Sequence, residues 1–178
     1  MRKLRHEEIE RVNPAALEVE KRHPITLWLH DIRSAHNVGA ALRSADGALI
    51  DEVLISGYSP TPANKVVIKT ALGAQDFVPW RVVDDCNAEV LSLKNRGYTL
   101  AALEITTNPT SVDDLKIDHF PLCLIAGNEV EGVDSELMKD CQLALEIPQY
   151  GAKQSLNVSV AIGIALFDLV RQFRRLNA

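Results

Sequence analysis

Short apolar runs alternate with helical patterns along most of this sequence, and this alternation limits the possible folds more than any other feature. Six runs have the length and composition of buried strands: Ile25–His30, Glu52–Ser56, Phe77–Val83, Thr99–Glu104, Leu122–Ala126 and Leu143–Ile147. Helical patterns lie between or after them, at Val38–Asp46, Lys65–Leu72, Asp85–Arg96, Ser135–Asp140 and Ser155–Leu176. Strands that alternate with helices at this spacing predict an α/β fold, with a mostly parallel sheet covered on both faces.

The length of 178 residues suits a single main domain. The first two dozen residues are polar, and Asn13 followed by Pro14 fits an N-cap and a first helical position. We therefore expect a helical N-terminal extension over residues 1–24 and the main domain over residues 25–178. Basic residues mixed with glutamates in the extension are typical of an exposed helix face. The less diluted Arg171, Arg174 and Arg175 suit either a helix C-terminus or an RNA contact.

Charge and cysteine usage exclude several classes of protein. The net charge of −5 excludes a simple polybasic nucleic-acid binder, although it leaves local patches open. Cys86, Cys123 and Cys141 are widely spaced and form no C-x-x-C motif, so neither a disulfide framework nor a zinc site is indicated. The N-terminus is too charged for a secretory signal, and the apolar stretch Leu156–Val170 is interrupted and too short to span a bilayer. We expect a cytoplasmic protein without a membrane segment or a metal.

The last predicted helix has no polar stripe before Arg171. Apolar residues occupy every side of it: Leu156, Val158, Val160, Ala161, Ile162, Ile164, Ala165, Leu166, Leu169 and Val170. A helix that is apolar all round is buried on all sides, and one sheet covers only one face. A second subunit is the simplest cover for the other face.

Common nucleotide and hydrolase motifs are missing or incomplete. Gly127 and Gly132 have the spacing of a phosphate-binding P-loop, but Val133 and Asp134 replace the required Lys and Ser/Thr. The sequence contains no G-x-G-x-x-G, H-E-x-x-H or G-x-S-x-G motif. These observations argue against a nucleoside triphosphatase and a Rossmann dehydrogenase.

Three polar loops follow predicted strands, where open α/β sheets bind ligands. They span residues 31–39, 127–132 and 148–157. Each has an ordinary structural interpretation: Asn37 and Ser155 fit helix caps, and the two glycines fit turns. Asn157 is harder to explain in this way, because an unpaired amide at the start of an apolar helix costs about 1–3 kcal/mol. We therefore expect Asn157 to have polar partners.

Taken together, the segments NVGAALRSAD, IAGNEVEG and IPQYGAKQSLNVSVA resemble the three motifs of the SpoU branch of the SPOUT RNA methyltransferases. The motifs occur in the family's order, and the resemblance covers about residues 25 to 176. It implies a six-stranded parallel α/β fold with a C-terminal trefoil knot, and a homodimer packed through the knot and the final helix. It also implies that S-adenosylmethionine is the cofactor and that the ribose 2′-hydroxyl of a tRNA or rRNA is methylated, without a metal.

The resemblance also implies roles for individual residues. Arg43 is the central catalytic residue, acting on the RNA phosphate or hydroxyl, and electrostatic stabilisation and general-base action both remain open. The other polar positions that complete the catalytic pocket are Asn37, Glu129, Ser155 and Asn157. The residues that match cofactor-binding positions, mainly through backbone groups, are Ala102, Leu103, Gly127, Asn128, Ile147 and Leu156. Glycine at position 127 is expected to allow close approach of the cofactor.

Three other interpretations stay open. The first is a non-catalytic RNA-binding SPOUT dimer, the second is a SPOUT enzyme that methylates a base, and the third is a small-molecule α/β enzyme. The N-x-G-x-x-x-R and S-L-N patterns favour ribose over base methylation. The sequence does not name the RNA, and the compact fold of tRNA suits a minimal dimer slightly better than rRNA does.

Overall fold

The computed structural model describes residues 1–8, 22–153 and 155–178. The expected helix of the N-terminal extension, with its cap at Asn13 and Pro14, lies almost entirely outside these residues. Within the first described range, a short 3-10 helix covers His6–Glu8. The rest of the description concerns residues 22 onward.

Six strands form one parallel sheet, as the alternating pattern predicts. They are β1 (His23–His30), β2 (Ile50–Ser56), β3 (Trp80–Val83), β4 (Thr99–Leu103), β5 (Leu122–Ala126) and β6 (Leu143–Leu145). The strand order is β3-β2-β1-β5-β4-β6, and every pairing is parallel. The six-stranded parallel sheet is confirmed. The trefoil knot stays a prediction.

Five helices flank the sheet: α1 (Ala35–Gly47), α2 (Lys65–Ala71), α3 (Cys86–Asn95), α4 (Ser135–Asp140) and α5 (Val158–Leu176). Alternate strand residues point to opposite faces, so the sheet separates two apolar clusters. Apolar residues of α1, α2 and α5 pack in the larger cluster, with Leu27 and Leu124 from the sheet. Those of α3 and α4 pack in the other, with Trp28 and Ile125. Helices therefore cover both faces, as predicted.

Three predicted strands are shorter in the structure, and the one predicted to reach Glu104 ends at Leu103. The strand predicted from Phe77 begins only at Trp80, because the backbone amides of Phe77 and Val78 donate to the carbonyl of Ala74 and close a turn. Pro79 has no amide proton for a strand ladder, which fits this boundary. The last strand ends at Leu145 rather than Ile147.

The long helix α5 packs one face on the sheet and leaves the other open in the single chain. Ile162, Ala165, Leu166 and Leu169 are buried against the larger cluster. On the opposite side, Val160, Ile164 and Phe167 are 50%, 39% and 52% exposed. The sequence pattern is therefore explained: α5 has an apolar inner face and an apolar outer face, and only the inner one is covered.

The three cysteines are free thiols, and Cys123 is completely buried. Burial raises the pKa of Cys141 to about 11, so this thiol stays protonated at neutral pH. Among the described residues, no helix is long and apolar enough to cross a membrane.

Candidate functional site

The three polar loops meet at the carboxyl edge of the sheet. The loop after β1 and the loop after β5 are neighbours, because these two strands pair at the centre of the sheet. The chain runs outward from β1 to β2 and β3 on one side, and β5, β4 and β6 lie on the other. Such a switch in strand order opens a crevice at the carboxyl ends of the strands, and ligands bind there in α/β folds.

The carboxylate of Glu129 links the second loop to the first. Its two oxygens accept hydrogen bonds from the backbone amides of Arg33 and Ser34, at 2.9 and 3.0 Å. One of them also accepts from the side-chain nitrogen of Asn37, at 2.8 Å. Glu129 is therefore held by three donors from a segment more than 90 residues away in the chain.

These contacts also determine the protonation of Glu129. Burial raises the pKa of this carboxyl, but the hydrogen bonds from the Arg33 amide, the Asn37 side chain and the Ser34 amide outweigh it. The net pKa lies below the ordinary value. Glu129 is therefore ionised at neutral pH, where it acts as a fixed anion and a hydrogen-bond acceptor.

Asn157 brings the third loop to the same place. Its side-chain nitrogen donates to the side-chain oxygen of Asn37 at 3.1 Å. Its own oxygen accepts from the backbone amide of Ser159 at 2.9 Å and caps α5. The prediction that Asn157 has polar partners is confirmed. The interpretation of Ser155 as the cap is wrong, because α5 begins three residues later and Asn157 occupies the cap position.

Asn37 is likewise no helix cap. Helix α1 begins at Ala35, and the side-chain oxygen of Ser34 caps it by accepting from the backbone amide of Asn37. The Asn37 side chain is left to bridge Glu129 and Asn157.

A cavity of about 350 Å³ lies beside this junction, within the size range of small-molecule sites. Five of the six predicted cofactor residues line it: Leu103, Gly127, Asn128, Ile147 and Leu156. Three predicted catalytic residues also line it: Glu129, Ser155 and Asn157. Val158 and Ala161 of α5 add apolar wall, and Glu104 and Glu146 add carboxylates.

Three predicted site residues are absent from the cavity lining: Asn37, which contacts the lining residues Glu129 and Asn157, and Ala102 and Arg43, which lie apart from it. Ala102 is fully buried in the apolar cluster under α3 and α4, on the other face of the sheet, and does not line the cavity. Arg43 is exposed on α1 and is also absent from the lining. Its guanidinium takes part in none of the hydrogen bonds or ion pairs found among residues 1–8, 22–153 and 155–178.

Sequence reasoning missed Glu104, which directly follows β4, as a site residue. One oxygen accepts from the backbone amide of Ile105 at 2.9 Å, and the other accepts from the amide of Val133 at 3.0 Å. Glu104 thereby ties the end of β4 to the loop that contains Glu129. Its position directly after a strand was the available signal, but the contact with Val133 spans 29 residues and leaves no local trace.

The two loop glycines have reasons of their own. A Cβ at Gly127 would lie 2.1 Å from the carbonyl oxygen of Gly132, so close backbone packing excludes any side chain there. This contact within the protein is sufficient to require glycine at position 127, and close approach of the cofactor there stays a prediction. Gly132 has a φ of +76° and faces the Glu104 carboxylate, which also excludes a side chain.

The side chain of Asn128 is fully used inside the protein. Its oxygen accepts from the amides of Val130 and Glu131, and its nitrogen donates to the carbonyl of Asp31 and the hydroxyl of Tyr58. Only backbone groups of Asn128 are therefore available to a ligand.

The site combines an apolar cavity, a fixed carboxylate and an array of oriented amides. Within the described ranges, no group of three His, Cys, Asp or Glu side chains could hold a metal ion. The cavity suits an organic molecule with cationic character, because apolar residues and three carboxylates line it: Glu104, Glu129 and Glu146.

Comparison with known proteins identifies the family and several relatives of this chain. Residues 24–167 match the SpoU rRNA Methylase family. A 23S rRNA (guanosine-2′-O-)-methyltransferase from Ralstonia nicotianae is 35% identical over 151 residues, which are 84% of this chain and 59% of the relative. The chain spans 57% to 68% of the length of the curated relatives it matches.

Solved structures share the fold. The A. aeolicus TrmH/SpoU tRNA modifying enzyme superposes with a TM-score of 0.80 at 27% identity, over 92% of this chain and 84% of that one. An AdoMet-bound rRNA methyltransferase from Sinorhizobium meliloti superposes with a TM-score of 0.77 at 24% identity, over 91% of this chain and 61% of that one.

Proposed function

The chain belongs to the SpoU rRNA methylase family, and from this membership we propose that it transfers a methyl group from S-adenosylmethionine to a ribose 2′-hydroxyl of tRNA or rRNA. The observation that supports the proposal best is the junction of Asn37, Glu129 and Asn157 beside the cavity. Three segments that resemble the family's motifs are joined there by their own side chains. The name of the Ralstonia relative supports ribose rather than base methylation.

The cavity fits the cofactor. S-adenosylmethionine supplies a methyl group on a cationic sulfur and carries an adenine, for which apolar walls at Leu103, Ile147 and Leu156 are suitable. The carboxylates of Glu104 and Glu146 favour a cationic ligand by charge complementarity. Backbone groups of Gly127 and Asn128 remain available for hydrogen bonds with it.

The amide and carboxylate groups hold the reacting hydroxyl in place. A ribose hydroxyl is a poor nucleophile at neutral pH. Transfer of the methyl group to it therefore requires that the hydroxyl is positioned and that negative charge on its oxygen is stabilised. Asn157 and Ser155 line the cavity and provide polar groups at its margin. Glu129 fixes the loop that precedes α1, which keeps Asn37 and Asn157 in one orientation.

Arg43 acts, in this proposal, on a second copy of the chain. It is exposed on α1 and does not line the cavity of its own chain. Helix α5 runs beside α1, where the position of a Cβ on Gly163 lies 3.3 Å from the Ser44 hydroxyl, and one on Gly47 lies 3.5 Å from Phe167. Arg43 therefore borders the exposed apolar face of α5, and a homodimer packed on that face would bring it near the partner's cavity. There it would contact the RNA phosphate or the developing oxyanion.

The RNA itself is proposed only by class. Names of the relatives include both tRNA and rRNA, and we place the enzyme in the cytoplasm, where its three free thiols fit a reducing environment.

RNA from cells that lack the gene provides the direct test. The purified protein is incubated with S-adenosylmethionine and this RNA, and 2′-O-methyl nucleotides are mapped by their resistance to alkaline cleavage. We expect methylation of one ribose position that is methylated in wild-type cells and unmodified in the deletion strain. Methyl groups found on a base would contradict the ribose assignment, and cofactor binding without any transfer would favour a non-catalytic RNA-binding protein.

A further inference from the structure

Two segments that flank β2 contain basic but no acidic side chains, and Asp31, Asp46 and Asp76 lie just outside them. Residues 32–45 and 57–75 include Arg33, Arg43, Lys65 and Lys69 and no aspartate or glutamate, in a chain whose net charge is −5. All four cations are exposed, and their side chains form none of the hydrogen bonds or ion pairs found in the described part of the chain. Three cations on the other face of the sheet, the half-buried Arg81 and Lys94 and the exposed Lys139, are paired with Glu89, Asp140 and Glu136.

These elements form one continuous surface. Helices α1 and α2 are in close contact, since a Cβ at Gly39 would lie 2.7 Å from atoms of Val67 and Thr70. The ring of His36 lies 3.2 Å from the Thr70 hydroxyl. The loop before α2 is tied to the loop after β1, where the backbone amide of Ile32 donates to the Ser59 hydroxyl at 2.9 Å. Arg33 follows directly, and its amide donates to Glu129 at the cavity.

The two lysines of α2 weaken the helix on which they lie. Lys65 is its first residue, where the helix macrodipole disfavours a cation. Lys69 lies four residues later on the same face, at a spacing where like charges repel. Residues 57–75 contain no carboxylate to offset this repulsion, and neither lysine forms an ion pair, so the lysines do not serve the stability of α2. They suit an anionic partner that is absent when the protein is alone.

Tyr58 adds an aromatic platform at the edge of this surface. Its hydroxyl contacts the side-chain nitrogen of Asn128, which lines the cavity, and its backbone amide donates to Asp31 at 3.0 Å. Both contacts fix the residue, yet it is 59% exposed. A fixed, exposed aromatic ring beside unpaired cations is typical of surfaces that bind single-stranded nucleic acid.

We propose that Arg33, Lys65, Lys69 and Tyr58 form the surface that holds the RNA strand leading into the cavity, here called the basic face. The lysines bind successive phosphates, and Tyr58 stacks on a base next to the modified nucleotide. This inference rests on the proposed function, because it names the surface through which the RNA reaches that site. It places a main RNA contact on α2, in addition to the chain termini considered from the sequence.

The test compares two double variants of equal charge change. Lys65→Ala/Lys69→Ala removes the unpaired lysines of the basic face, and Lys94→Ala/Lys139→Ala removes two paired lysines from α3 and α4 on the opposite face. The affinity of each for a fluorescent single-stranded RNA of about 20 nucleotides, longer than the site of one nucleic-acid-binding domain, is measured across a range of salt concentrations.

We expect the Lys65/Lys69 variant to bind this RNA at least about tenfold more weakly at low salt, and the slope of log affinity against log salt to shrink by about 1.4, or 0.7 for each lost phosphate contact. Its melting temperature stays equal to that of the unchanged protein or rises, because a repulsion is removed. The Lys94/Lys139 variant keeps RNA affinity and slope close to the unchanged protein.

Tyr58 variants test the stacking contact separately. Tyr58→Phe keeps the ring and removes the hydroxyl, so RNA affinity is retained, whereas Tyr58→Leu weakens it severalfold. Equal RNA affinities for both double variants would overturn the basic face while leaving methyl transfer, and hence the proposed function, intact. Conversely, the Lys65/Lys69 variant could bind RNA more weakly, as expected, while the unchanged protein transfers no methyl group. This result would overturn the proposed function and support the basic face.

Discussion

The side-chain nitrogen of Asn157 donates a 3.1 Å hydrogen bond to the side-chain oxygen of Asn37, across 120 residues of chain. The other end of each amide is also occupied, by Glu129 for Asn37 and by Ser159 for Asn157. Both amides therefore have one fixed orientation. This relay joins the start of α1, the loop after β5 and the start of α5, so a change in one group is transmitted to the other two.

Asn37→Asp tests the relay with almost no change of shape. It replaces the amide nitrogen that donates to Glu129 with a carboxylate oxygen, so two anions face each other where a 2.8 Å hydrogen bond existed. We expect a loss of about 1–3 kcal/mol in unfolding free energy and a fall in single-turnover methyl transfer of about 10²-fold. Denaturant titration and labelled-cofactor transfer measure the two effects.

Asn64→Asp is the matched control for this change. Asn64 caps α2, where its side-chain oxygen accepts from the backbone amide of Val66 at 2.8 Å. Aspartate caps a helix as well as asparagine does, so stability should stay unchanged, and so should methyl transfer at saturating RNA, where the weaker RNA binding caused by a new charge beside Lys65 is overcome. A similar loss in both variants would show that Asn37 matters only as part of a helix start.

The lowered pKa of Glu129 makes part of the protein's stability depend on pH. The folded-state pKa lies below the ordinary value of 4.5, so the ionised carboxylate contributes stability that is complete above 4.5 and disappears as pH falls through the folded-state value. Glu129→Gln should therefore lower unfolding free energy by about 1 kcal/mol at pH 7, a modest value because the group is partly exposed. The difference between the two proteins should shrink below pH 4.5, as followed by chemical denaturation at several pH values. A constant difference down to pH 3 would show that charge on Glu129 contributes nothing.

Periodicity identified most of the elements, because it records local burial. The strand Leu122–Ala126 has the predicted bounds, and all five of its residues are buried. Element ends were less accurate, since competing local hydrogen bonds determine them. The amides of Phe77 and Val78 turn back to Ala74, and Asn157 rather than Ser155 caps α5.

The sequence predicts which loops form the site, but it predicts few of the contacts between them. Strand order brings the loops after β1 and β5 together, and the motif pattern singled out Asn37, Glu129 and Asn157 from the sequence. Pairing between Glu104 and the Val133 amide has no local signature, and neither has the backbone contact that requires glycine at position 127. Both depend on how distant loops pack, which only three-dimensional coordinates show.

Variants of Glu104 and Glu146 distinguish two contributions to cofactor binding: anchoring of the loop at Val133 and negative charge in the cavity. Both carboxylates line the cavity, but only Glu104 holds the amide of Val133. Glu104→Gln should weaken S-adenosylmethionine binding by about tenfold, because it loosens the loop and leaves a backbone amide without its charged acceptor, a loss of about 1.5 kcal/mol. Glu146→Gln removes the same charge without releasing the loop and should change affinity less. Calorimetric titration of both variants checks this, and equal losses would mean that charge alone attracts the cofactor.

Substitution of Phe167 tests whether the exposed apolar face of α5 forms the interface of the proposed dimer. It is 52% exposed in the single chain, and a charged residue there would be buried without a partner in a dimer. Phe167→Glu should give a monomeric mass by light scattering at micromolar concentration and lose methyl transfer. Leu91→Glu is the control, because Leu91 is 63% exposed on α3, on the opposite face. Unchanged dimer mass for Phe167→Glu would place the subunit contact elsewhere, and a monomeric wild-type protein would remove the dimer from the proposal.

Substitution of Arg43 is the strongest single test of the proposed mechanism. It is exposed, outside the cavity lining and beside the apolar face of α5, so Arg43→Ala should leave folding, dimer formation and cofactor binding intact. Loss of a positioned charged donor at a developing oxyanion should lower methyl transfer by about 10²–10³-fold. Arg43→Lys should restore little, because an ammonium lacks the planar fork that bridges phosphate and hydroxyl. Near-normal transfer by Arg43→Ala would remove this residue from the mechanism.

Mixed dimers show which cavity Arg43 serves. When inactive Arg43→Ala and inactive Asn157→Ala chains are co-expressed, a mixed dimer has one intact cavity, in the Arg43→Ala chain. If Arg43 reaches across the interface, the arginine of the Asn157→Ala chain completes that cavity. Random pairing makes half of the dimers mixed, each with one working site of two, so about a quarter of wild-type activity should return. If Arg43 acts within its own chain, every cavity lacks one group and no activity returns, which would contradict the shared site while leaving the catalytic role of Arg43 in place.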